Sequence, residues 1–155
     1  MDDVIIARAL HILGVVIWIG GVAMVTMVLL PALRRGDLGN RLQVFEAIER
    51  RFAWHARLAT LIVGLTGFYM TQRLDLWDRF RSGGFWWMHA MVCLWLLFTL
   101  LLFVAEPLVL HRRFHARALV VPDAAFALLH RAHWLLLALS LITILGAVAG
   151  SQGLS

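Results

Sequence analysis

The chain is expected to fold as an all-α, up-down bundle of four transmembrane helices, and three observations carry that expectation. First, 62% of its 155 residues are hydrophobic and only 15% are charged, whereas soluble domains are nearer half apolar and a quarter charged. Second, the apolar residues gather into four long runs, at about 4–30, 52–72, 85–110 and 124–150. Each run meets or exceeds the roughly 20 residues that a helix needs to cross a bilayer. Third, the connections between the runs are short, so one domain, 1–155, uses nearly every residue.

The first run opens after Met1-Asp2-Asp3 and ends at Pro31. An acidic start is the opposite of a secretory leader's basic one, so the run reads as a permanent span. His11 shares a helical face with Val15, Trp18, Val22 and Val25, and Gly14, Gly20 and Gly21 allow a neighbour or a flat ligand to approach closely. The stretch 41–51 alternates Leu42, Val44, Phe45 and Ile48 with charged residues, as a short amphipathic helix at the membrane interface would. In the second run, 52–72, the His55 face continues through Ala59, Ile62, Thr66, Tyr69 and Arg73. A line that polar is expected to face the protein interior. A connection with Arg79, Arg81, Asp75 and Asp78 follows, flanked by Trp77, Trp86 and Trp87 as an aromatic belt would be. The third run, 85–110, carries His89 about one turn inside and Glu106-Pro107 near its far end, where a kink is expected. A basic loop containing His115 leads to Pro122-Asp123, a plausible helix start, and to the fourth run.

All fourteen basic residues are arginine, which excludes Schiff-base lysine chemistry and a P-loop. The net charge of +5 points to arginines at a membrane surface rather than to nucleic acid. Cys93 stands alone, excluding an intramolecular disulfide, a zinc finger and an iron–sulphur cluster. Arg34, Arg35, Arg41, Arg50, Arg51, Arg57, Arg112, Arg113, Arg117 and Arg131 flank the first and third connections, against Arg8, Arg73, Arg79 and Arg81 on the other side. The positive-inside rule then puts both termini on the periplasmic side.

That topology sorts the histidines into two layers. His11 and His89 lie one to two turns from the outer surface, and His55, His130 and His133 at similar depth from the inner one. Helices one and three are diagonal in a simple bundle, as are two and four, so each layer can clamp a flat ring between two imidazoles. One or two b haems suit this pattern, because haem iron takes two axial ligands and the macrocycle fills an apolar slot. Arg8, Arg73 and Arg81 outside, and Arg57, Arg112, Arg113 and Arg131 inside, are available for the propionates. Of His130 and His133, one is expected to ligate. His111 and His115 sit among arginines and read as surface contacts. Glu106 reads as a proton site or as a partner of Arg112 or Arg113. Copper is the alternative ligand, through His11, His89, Met24, Met27, Met88 and Cys93. The blander reading is a structural subunit whose histidines only hydrogen-bond between helices.

The segment Ala9-Leu10-His11-Ile12-Leu13-Gly14-Val15-Val16-Ile17-Trp18-Ile19-Gly20-Gly21 resembles the first helix of the CopD-like superfamily of small bacterial membrane proteins. The same opening occurs in the related HemJ-type protoporphyrinogen oxidases. Arg51-Phe52 leading into a glycine-containing span, and the His89 and Glu106-Pro107-Leu108 regions, are also similar. The resemblance covers most of the chain. It implies a multi-pass protein of the bacterial inner membrane whose histidines bind haem b or handle copper. The implied activities are electron transfer with a quinone or periplasmic redox protein, copper import, or porphyrinogen oxidation, and a homo-oligomer would suit any of them. The functional lysine of the HemJ type is not carried over, because this chain has none.

Overall fold

A computed structural model describes residues 2–36 and 40–153, without the side chains of 109–112 and 115. Helix α1 covers Asp2–Arg35 and contains a π-turn at Val25–Leu29. It ends at Gly36, whose φ of 84° is a left-handed cap that glycine adopts without strain. Helix α2 covers Arg41–Arg73, opened by Asn40, whose side chain accepts a hydrogen bond from the Gln43 amide at 3.4 Å. Two 3₁₀ turns, Trp77–Arg81 and Gly83–Phe85, lead into α3, Trp86–Leu100. The same rod continues as a π-helix, Leu101–Leu110. Helix α4 covers His111–Val120, and α5 covers Pro122–Ser151 with proline in its first turn, where its missing N–H costs nothing. No strand occurs among the described residues.

Three of the helical rods, Asp2–Arg35, Gly83–Leu108 and Pro122–Ser151, are long and apolar enough to cross a membrane. Helix α2 is as long, but its apolar stretch carries His55, Arg57, Gln72 and Arg73 and falls outside that set. The outward faces match this composition: Leu65 is 70% and Leu145 69% exposed, whereas the buried positions include Ala53, Ala56, Ala59, Ala125, Thr26, Thr60 and Ser140. Small and hydroxylic residues inside with large aliphatics outside is how helices pack where the surroundings are as apolar as the core.

Two connections bear on the expected boundaries. The interfacial segment 41–51, expected to lead straight into the second span, forms one unbroken helix with it, because no glycine or proline interrupts Arg50-Arg51-Phe52. The basic connection expected as a loop contains helix α4. Its Phe114 packs on Phe45 and Phe126 at 5.1 and 5.3 Å between ring centroids, and Ala118 is buried. An apolar edge four residues wide on a basic segment is enough to hold a helix against the bundle.

Helices α1 and α2 pack antiparallel and share the most extensive interface. A Cβ at Gly14 would sit 2.8 Å from Val63, so the close approach of these helices requires glycine there. The mid-level core gathers Trp18, Ile19 and Val22 of α1, Ala59 and Val63 of α2, Phe98 of α3 and Leu137 of α5. A second cluster joins the end of α1 to Phe45 and Phe126.

Candidate functional site

Trp18 of α1 meets Phe98 of α3 edge-on, 4.8 Å between ring centroids. His11 lies seven residues toward the N-terminal end of α1, and His89 nine residues in the same direction on α3. Helical rise places them about 10 and about 13 Å from that contact, so the two imidazoles differ by about 3 Å in level.

His11 is half-buried, with Nδ1 3.1 Å from the Thr66 hydroxyl of α2. Thr66 gives its own hydrogen to the Ile62 carbonyl at 2.6 Å, so its oxygen accepts and His11 Nδ1 carries the proton. Nε2 is then the lone-pair nitrogen, the arrangement in which a second hydrogen bond aims an imidazole at a metal. Gly67 gives the ring room: a Cβ there would lie 3.2 Å from His11 Cε1. His89 is exposed, with Nε2 3.0 Å from the Phe80 carbonyl and Nδ1 3.3 Å from the Phe85 carbonyl. Both partners are acceptors. A neutral ring serves one of them, and the Phe80 contact is the shorter.

The histidines at the other end of the bundle differ in their hydrogen bonding. His133 donates Nδ1–H to the Leu129 carbonyl at 3.0 Å, which leaves Nε2 as acceptor. His55 donates to the Arg51 carbonyl at 2.7 Å and is exposed. His130 has both nitrogens engaged: Arg34 donates to Nδ1 at 3.0 Å and Nε2–H donates to the Thr26 carbonyl at 2.9 Å. In this geometry His130, like His89, has both ring nitrogens engaged, whereas His133 keeps Nε2 free of a hydrogen bond. His111, His115 and Arg112 lie outside the described side chains.

Why His130 bonds Thr26 follows from Pro31. In the π-turn each N–H reaches back five residues, as Leu30 does to the Val25 carbonyl. Pro31 has no N–H, so the Thr26 carbonyl five residues before it is orphaned, and His130 supplies the donor from α5. The same event recurs in α3. Pro107 orphans the Leu102 carbonyl, and Arg57 of α2 donates Nε–H to it at 2.9 Å. The Arg57 guanidinium also forms an ion pair with Glu106. Glu106 is thus paired across helices, and Arg57, named above as available to a propionate, caps a proline break. The sequence signal for both caps is a proline inside an apolar run and a polar side chain at its depth on another helix.

At the N-terminal end of α1, Asp3 accepts from Tyr69 at 2.7 Å and from Arg73 at 2.9 Å. The Tyr69 hydroxyl and the Arg73 guanidinium hold its carboxyl well below the usual carboxylate range. Asp3 precedes the apolar run, and this clamp ties the start of α1 to the end of α2. Arg73 is therefore already paired, and Arg8 is exposed. Beside them an apolar groove of about 700 Å³ lies between α1 and α2, with Thr66 in its wall. Of the copper set, Cys93 and Met24 are exposed and Met88 is buried, and no group of three or more histidine, cysteine or acidic residues comes together among the described residues. Comparison with family models, characterised proteins and solved structures returns no match to this chain.

Proposed function

We propose that the chain is a bacterial inner-membrane protein, a four-helix bundle with both termini outside the cytoplasm, that binds haem b between His11 and His89 and passes single electrons. The observation that carries this reading is the state of His11, a half-buried imidazole with its Nδ1–H fixed by Thr66; helical rise puts His89 of another rod at about the same level. The donor chemistry fits the group. Thr66 orients His11 and fixes its tautomer, and Gly67 leaves space beside the ring. His89 must exchange the Phe80 carbonyl, which lies in the short 3₁₀ turn Trp77–Arg81, for iron. Arg8, exposed near the outer end, is the cation available to a propionate. When bound, haem supplies the one-electron chemistry.

The proposal is confined to the pair on α1 and α3, which helical rise places at about the same level. Haem content of the purified protein by the pyridine haemochrome assay tests it. About one haem per chain is expected, falling severalfold in His11→Ala and His89→Ala. Copper retained at one per chain in a colourless preparation would favour the metal-import reading instead.

A further inference from the structure

We infer that the face of α2 formed by Arg50, Arg51 and His55 is a binding site for the phosphate headgroup of an anionic membrane lipid. A groove of about 510 Å³ lies on this face, walled by Ala47, Ile48 and Phe52 and edged by Arg50, Arg51 and His55. These positions recur at helical spacing, so cations and apolar side chains occupy one outward surface. The opposite side of the same turns is buried through Phe45, Ala53 and Ala56.

Arg50 and Arg51 are exposed, and among the described residues neither forms an ion pair with a carboxylate. The other arginines of α2 each have one: Arg41 with Asp123, Arg57 with Glu106 and Arg73 with Asp3. Two adjacent unpaired guanidiniums are a ready phosphate clamp, because the planar fork meets phosphate oxygens two at a time. His55 donates Nδ1–H to the Arg51 carbonyl at 2.7 Å, which fixes its ring at the groove edge beside that arginine.

The source of the phosphate is a lipid rather than a free anion. The groove walls are apolar and continue into the apolar surface of α2, where Leu58 is 50% and Leu61 45% exposed. Trp54, 66% exposed on the next turn, marks the level at which indole rings meet headgroups. An acyl chain along α2 with its phosphate at Arg50 and Arg51 satisfies both parts of the surface. This site is independent of the haem reading and uses none of its ligands.

Native mass spectrometry of the full chain, released from nanodiscs of phosphatidylglycerol mixed with phosphatidylcholine, tests the inference. One retained phosphatidylglycerol per chain is expected in the wild type. Each arginine removed should weaken retention about five-fold, and Arg50→Gln with Arg51→Gln about 30-fold. Arg79→Gln with Arg81→Gln, at the other end of the molecule, should leave retention unchanged. Helicity by circular dichroism identifies any variant that fails to fold, and for such a variant Arg51→Gln alone supplies the reading. Equal retention in the folded Arg50 and Arg51 variants would overturn the inference. So would equal retention of phosphatidylcholine, or displacement of the lipid by millimolar inorganic phosphate.

Discussion

Replacing Arg57 with methionine tests the two-proline account of the bundle. The change keeps the length of the stem and removes the guanidinium. It strands two groups at once, the Glu106 carboxylate and the Leu102 carbonyl orphaned by Pro107. Breaking a buried ion pair by deleting one partner costs about 3–5 kcal/mol. The two side chains are 28% and 22% exposed, so the lower end applies, about 3 kcal/mol. The lost bond to the Leu102 carbonyl adds about 1–2 kcal/mol, for a total near 4 kcal/mol. Arg57→Met with Glu106→Leu removes both charges and leaves only the carbonyl unserved, so it should cost about 1–2 kcal/mol. Reversible unfolding in mixed detergent micelles, followed by circular dichroism, measures both variants. The reasoning is refuted if the single variant loses less than about 1 kcal/mol, or if the double variant is no more stable than the single one.

Two further outcomes follow from the same geometry. His130→Ala should lose about 1–3 kcal/mol by stranding the Thr26 carbonyl, and adding Pro31→Ala should restore part of it by returning a backbone donor; identical losses in the two variants would show that the cap does not act through Pro31. The clamp on Asp3 lowers its pKa, so the stability it adds is present above the ordinary carboxylate value of about 4 and is lost as pH falls below it. The protection factor for amide exchange in the first protected turn of α1, taken relative to the intrinsic rate at each pH, should therefore be unaffected by this carboxyl between pH 5 and 8 and should fall on further acidification, and Asp3→Asn should remove that fall.

The apolar runs were legible because their residues must meet lipid or each other, and length alone then fixes what each can be. The boundary at Pro31 was not. Proline signals a break in an α-helix, but whether the rod stops or continues through a π-turn depends on a donor from elsewhere, here His130. The expectation that His11 and His89 share a layer came from spacing alone, and the edge-on contact of Trp18 with Phe98 brings their two helices together. Their hydrogen-bond partners were not readable. Thr66 lies on the helical line drawn from His55, and only the antiparallel register of α1 and α2 brings it to His11. Likewise, counting arginines located Arg57 near the inner surface, while its partners Glu106 and Leu102 sit 49 and 45 residues away in sequence, beyond any local pattern.

The absorption spectrum of the dithionite-reduced, purified protein from haem-replete cells tests the central claim most directly. The account predicts sharp b-type bands in the wild type, lost in His11→Ala and in His89→Ala and retained in His130→Ala, whose imidazole caps Thr26 rather than facing iron. A featureless wild-type spectrum, or bands that survive the loss of His11 and His89, would contradict it.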